Sequence, residues 1–149
     1  MITLKKIILL CAIFLITCAN VEANEQEAEA VRLLNQVRAE YDLAPVVWNE
    51  DSDLQMAARV RAQEISEKFS HDRPDGSSCF TAIRQAGVRY RTCGENIAMG
   101  TYLDAERATE LWVDSPAHFE NMVDENFKQV GLACYQVGEN IYWVQLFIG

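Results

Sequence analysis

QVGLACYQVGENIYWVQLFI, residues 129–148, is the stretch that decides the fold class. Residues 129–135 and 141–148 are rich in β-branched and aromatic side chains. Val137-Gly138-Glu139-Asn140 between them has a hairpin-turn composition, so the region reads as two antiparallel strands. Upstream the period changes. Ala30, Val31, Leu34, Val37 and Tyr41 recur every three or four residues, which predicts an amphipathic helix stopped by Pro45. Asp51 or Ser52 caps a second helix that buries Leu54, Ala57, Ala58, Ala62 and Ile65 up to Phe69, and His71 lies just beyond it. Residues 72–76 read as a Pro- and Gly-containing loop. Ser77 or Ser78 then caps a short helix with Phe80 and Ile83 inward, stopped at Gly87. Residues 88–90 read as extended and lead into Thr92-Cys93-Gly94-Glu95-Asn96-Ile97-Ala98, with Glu95 expected in a turn. Asp104 caps a helix burying Ala105, Ala108, Leu111 and Trp112, and Ser115-Pro116 opens another with His118 in its first turn. Helices followed by a hairpin make the fold class α+β.

With 149 residues, half of them hydrophobic, 23% charged and a formal charge of −9, the chain describes one domain. Gly 7 and Pro 3 exclude collagen-like and disordered chains. Residues 1–23 carry Lys5, Lys6 and Glu22, so the remainder is one unit more negative than the whole and repels phosphate backbones and anionic surfaces. Nucleic acid is therefore excluded as a partner.

Residues 1–23 read as a signal peptide: Lys5 and Lys6, the apolar run from Ile7 to Ile16, then Val21-Glu22-Ala23 with cleavage after Ala23. The run is too short for a stable membrane span. Leu15-Ile16-Thr17-Cys18 offers an alternative, a lipid anchor at Cys18, but secretion ranks ahead because Thr17 is large for that box. Residues 24–149 then form a single extracellular domain with Cys79, Cys93 and Cys134. An odd number in an oxidising compartment permits at most one internal disulfide, and of the three pairings Cys79 with Cys93 closes the shortest loop.

Several segments, in this order, resemble the CAP superfamily of cysteine-rich secretory proteins, an insect-venom antigen and plant pathogenesis-related proteins, and especially its bacterial SCP-like branch. They are Leu34-Asn35-Gln36-Val37-Arg38, residues 45–48, Ser70-His71, Gly94-Glu95-Asn96-Ile97-Ala98, Leu111-Trp112, residues 115–118 with Asn121, Val130-Gly131 and residues 143–147. The resemblance implies a three-layer α-β-α sandwich around a central antiparallel sheet. It also implies a cleft of two histidines and two glutamates that in several members holds a divalent metal, often zinc. Carried onto this chain, the metal residues are His71, Glu95 and His118. The second glutamate has no counterpart, since Phe80-Thr81-Ala82-Ile83-Arg84-Gln85 contains no acid and only Asp72 or Asp75 stands nearby.

The residues support a site independently. His71 and His118 are the only histidines, and both lie at element boundaries. Two imidazoles and a carboxylate are an open zinc ligand set, although unlinked histidines more often serve as loop or cap partners. His-Glu-x-x-His and Gly-x-Ser-x-Gly are absent, and spacing selects none of Ser70, Ser77, Ser78 and Ser115 for a triad. Cys93 reads as bridged or buried rather than nucleophilic, and Trp48, Trp112 and Trp143 as core. The resulting expectation is a secreted protein that binds or scaffolds an extracellular lipid, cell-wall or protein component, its cleft holding zinc or another divalent cation. A metal-dependent hydrolase and a carrier of lipid or a small apolar ligand are the alternatives.

Overall fold

The computed structural model describes the backbone of residues 4–149 and the side chains of residues 22–149. The signal peptide expected over residues 1–23, and the anchor Cys18, fall almost wholly outside those side chains. The elements run α1 (Leu4–Glu40), α2 (Asp53–Glu67), α3 (Thr81–Gln85), β1 (Cys93–Thr101), α4 (Ala105–Val113), α5 (Pro116–Met122), β2 (Gln129–Val137) and β3 (Asn140–Ile148). Among the described residues no helix is long and apolar enough to cross a membrane.

Caps set the helix starts. The Ser52 side chain accepts from the Gln55 amide to open α2, and Asp104 accepts from the Arg107 amide to open α4. The sheet is antiparallel in the order β1-β3-β2, and Gly138, at φ +61°, makes the tight link between β2 and β3. Alternation along β3 divides the core in two. Trp143 and Phe147 pack with Leu34, Ala108, Trp112 and Met122 of the α1, α4 and α5 layer, whereas Val144, Leu146 and Ile148 pack with Leu54, Ala58, Ile65 and Ile83 of the α2 and α3 layer. This is the expected α-β-α sandwich. The α2 layer sits close on β2 because Gly131 has no side chain: a Cβ there would lie 2.5 Å from the Leu54 carbonyl oxygen.

Arg38 links the end of α1 to the segment that follows α5. Its side chain is almost fully buried and donates to the carbonyls of Ala44 at 2.9 Å, Met122 at 2.9 Å, Asp124 at 3.0 Å and Phe127 at 3.3 Å. Four carbonyls satisfy a guanidinium that has no carboxylate within ion-pair distance among the described residues.

Five expectations need correction. Residues 93–101 are strand, so Glu95 stands in β1 rather than in a turn, and residues 88–90 are irregular. Leu111 is 49% exposed because the buried positions of α4 are Ala105, Ala108, Thr109 and Trp112, a stripe that turns Leu111 outward. Tyr41 lies past the end of α1 and is exposed, its ring meeting Phe119 edge-on at 5.3 Å between centroids. No disulfide joins Cys79, Cys93 or Cys134, which sit in different surroundings: Cys79 is buried and faces Glu95, Cys93 packs beside the α2 and α3 core, and Cys134 lies on the α1 side of β2.

Candidate functional site

The site forms at the edge of the sheet. Strand β1 lies at the outside of the order β1-β3-β2, and alternation sends Glu95 toward the α2 layer and Asn96 toward α5. Both side chains are buried, yet each is fully engaged.

On the α2 side, Glu95 meets Arg61, which is 0% exposed. Arg61 Nε donates to Glu95 Oε2 at 2.8 Å and Nη2 to Oε1 at 3.2 Å. The same guanidinium reaches Glu64 Oε2 at 2.8 Å and the Ser70 carbonyl at 2.8 Å. A buried cation is tolerable here because two carboxylates and a carbonyl take its protons. Glu64 is also bound by Arg73, which reaches on to Thr81 and Gln85 and so fastens the loop after His71 to α3.

His71 Nδ1 lies 2.9 Å from Glu95 Oε1. Its ring is 58% exposed while the Glu95 side chain is 1% exposed, so the carboxylate is the floor and the imidazole the rim. The hydrogen bond to Glu95 holds the His71 pKa above the ordinary histidine value. Cys79 also faces this point: ligand atoms of His71, Cys79 and Glu95 lie within 4.8 Å of one another. Burial, and then the Glu95 charge, push the Cys79 thiol up to about 12, so it stays protonated and unreactive.

His118 approaches from the other layer, in the first turn of α5. The Ser115 hydroxyl makes no cap to the backbone and instead lies 2.8 Å from His118 Nδ1. Asn96 donates to the His118 carbonyl at 2.9 Å and to Gln145 at 3.0 Å, and Asn121 donates to Asn96 at 2.9 Å. This amide chain pins α5 to β1. Burial lowers the His118 pKa, and charge on His71 lowers it further.

The structure therefore joins His71 to Glu95 directly, whereas His118 stands outside the close group of His71, Cys79 and Glu95. Asp72 and Asp75 stay outside the close group; Asp75 instead accepts from Ser77 in its own loop. Arg61, Cys79 and the Ser115 bond escaped the sequence reading. Arg61 had a legible signal, because it continues the apolar stripe Leu54, Ala58, Ile65 of α2, where a charge demands a buried partner. Cys79 and Ser115 had none, since both depend on the path of a loop.

A model of the cysteine-rich secretory protein family, CAP, matches residues 31–147. The chain belongs to the CAP family. It is 32% identical over 135 residues to the uncharacterized protein YkwD of Bacillus subtilis, covering 89% of this chain and 51% of YkwD. Another Bacillus subtilis relative, the uncharacterized membrane protein YlbC, is 24% identical and 34% covered, so the chain spans about half of one of these curated relatives and a third of the other. Among solved structures, an extracellular protein containing an SCP domain from Bacillus anthracis aligns with a TM-score of 0.76 at 25% identity, over 85% of this chain and 41% of that one. An outer surface protein from Borrelia burgdorferi aligns with a TM-score of 0.74 at 18% identity, over 83% of this chain and 92% of the other, a likeness of fold. This CAP domain thus shares its architecture with proteins described as extracellular or outer-surface.

Proposed function

We propose that this CAP domain works outside the cytoplasm as a binding or scaffolding module whose cleft takes a divalent cation, zinc by donor chemistry, through Nε2 of His71 and Nε2 of His118. The observation that carries the reading is that both Nδ1 atoms are already held, one by Glu95 and one by Ser115. A metal-binding imidazole characteristically gives its other nitrogen to a carboxylate or another oxygen partner, which fixes the tautomer and aims the free nitrogen. Glu95 and Ser115 then orient ligands rather than serve as them. His118, with its lowered pKa, is a neutral donor at neutral pH, while His71 gives up a proton on binding. Two protein ligands leave coordination positions open to an extracellular ligand and give modest affinity. When bound, the ion supplies Lewis acidity in an open cleft. Binding ranks ahead of hydrolysis because Glu95, the expected general base, is committed to Arg61.

A second reading has one specific observation in its favour, the proximity of His71, Cys79 and Glu95, which could hold zinc by nitrogen, sulfur and oxygen. Calorimetric titration with zinc chloride separates the two. The two-histidine reading expects one ion per chain, lost in His71→Ala and in His118→Ala and retained in Cys79→Ser. Loss in Cys79→Ser with retention in His118→Ala selects the three-donor group, and equal binding by every variant removes the cleft as a metal site. Export follows from Lys5, Lys6 and the apolar run before Ala23, and predicts an exported protein whose intact mass begins at Asn24. A fatty-acylated Cys18 would show the lipid-anchored form instead.

A further inference from the structure

A groove of about 670 Å³ runs between α1 and α4, and none of His71, Glu95 and His118 lines it. The two helices run in the same sense: Gln26 accepts from the Ala105 amide at the head of α4, while Glu40, the last residue of α1, shares the groove with Asp114, the residue after α4. Leu33 and Val37 form a floor packed against the core, and Val113 adds an apolar edge that is 38% exposed. The charge around this floor is all of one sign. Glu40, Glu106, Glu110 and Asp114 line the groove and are exposed, no lysine or arginine lines it, and none of the four forms an ion pair among the described residues. Arg32 feels the Glu106 charge but is held by both oxygens of Glu29. Folding alone gives no reason for this arrangement. Glu106, Glu110 and Asp114 recur every four residues along α4, where like charges repel. Glu40, Glu110 and Asp114 also sit at helix C-termini, where the backbone already presents partial negative charge, and the last turn of α4 holds no basic residue. The stripe opposes the helices that carry it.

We infer that this groove is a docking site for a lysine- or arginine-rich amphipathic helix of a partner protein, its apolar face on Leu33, Val37 and Val113 and its cations against the four carboxylates. The inference is independent of any metal in the cleft. An apolar floor between two helices is the shape that receives a third, and the span from Leu33 to Glu40 is about 10 Å, roughly two turns, enough for an i, i+4, i+7 set of side chains. The rim then chooses the sign of the occupant. A fatty-acid anion or an acidic helix would bring charge against four uncompensated carboxylates, and a second copy of this chain, with a formal charge of −9, is disfavoured for the same reason. A cationic helix neutralises the stripe and relieves the repulsion within α4.

The test is fluorescence anisotropy with a labelled synthetic peptide of about eighteen residues, roughly five helical turns, carrying leucine on one face and lysine on the other. A reference peptide has the same composition with its leucines spread around the helix. The amphipathic peptide should bind about tenfold more tightly than the reference and weaken about fivefold from low to high salt. Glu110→Gln with Asp114→Asn removes two rim charges and should weaken binding about fivefold. Glu50→Gln with Asp51→Asn removes two exposed charges ahead of α2 and should leave the affinity unchanged. Val113→Asn should cost about threefold through the apolar edge. Because the rim charges oppose α4, the Glu110→Gln, Asp114→Asn variant should melt no lower than the parent. Equal weakening by the two charge-removing pairs reduces the attraction to net charge and overturns the site. Equal affinity of the two peptides overturns it as well, as does absence of binding, or binding untouched by the rim pair and by Val113→Asn. A lower Tm in the rim pair would assign those carboxylates to folding and remove the premise.

Discussion

Replacing Arg38 with methionine tests how α1 holds the α5 end of the cleft. Methionine fills similar space and removes every donor. The carbonyls of Met122 and Phe127 receive their bonds in buried surroundings, while those of Ala44 and Asp124 are partly open and can turn to water. Each carbonyl left buried and unpaired costs about 1–3 kcal/mol, and the two buried ones dominate. The end of α1 gains back part of this because a guanidinium no longer has to be desolvated. The balance is a loss of about 2–5 kcal/mol, a large share of the roughly 5–15 kcal/mol that holds a domain together. For a domain of this size that lowers Tm by roughly 6–20 °C. Urea denaturation followed by circular dichroism should show a lower midpoint with an unchanged slope. Since Arg38 binds carbonyls and not carboxylates, the deficit should be the same at low and at high salt. A loss below about 1 kcal/mol, or one that vanishes in high salt, refutes the view of Arg38 as a buried anchor of uncharged oxygens.

Two further outcomes are expected. NMR titration of the two imidazoles should place His71 above and His118 below the ordinary value, because the Glu95 hydrogen bond stabilises His71 as a cation while burial and the neighbouring His71 charge disfavour charge on His118. With its folded pKa raised, His71 contributes stability that is complete below its unfolded value and disappears as pH rises through the folded one; for His118, lowered, the contribution is present above the unfolded value and lost as pH falls through the folded one. The reverse order of titration would contradict the assigned partners. Alkylation of the unreduced domain from Asn24 onward should modify three cysteines once it is denatured; in the native state Cys93 should react first, because burial pushes Cys79 and Cys134 up to about 12 and leaves Cys93 less raised and partly open. Only one modified thiol in denaturant would restore the disulfide.

The fold was legible where the period of apolar residues was long or the turn chemistry specific. Ser52, Asp104 and the stretch from Val137 to Asn140 each made the structure their composition implied, because caps and turns are local. Glu95 was misplaced in a turn because its strand borrows regularity from β3, a partner about fifty residues away in sequence that no local window sees. His71 and His118 stood out in the sequence as candidates, but the oxygens that meet their Nδ1 atoms, from Glu95 at 2.9 Å and Ser115 at 2.8 Å, are supplied only by the folded chain. The expected disulfide failed for a related reason: counting thiols in an oxidising compartment says how many bridges are possible, and nothing about whether their side chains share a layer.

The strand order has a kinetic side. β3 lies between β1 and β2 yet comes last along the chain, so neither earlier strand has a hydrogen-bonding neighbour in the sheet until residues 140–148 are available. Contacts between residues as far apart as Cys93 and Ile148 are slow to form, and a chain built this way stays open while it is being made. For any polypeptide threaded through a pore before it folds, a sheet whose middle strand follows both of its neighbours in sequence is an advantage, because the polymer remains threadable until residues 140–148 arrive.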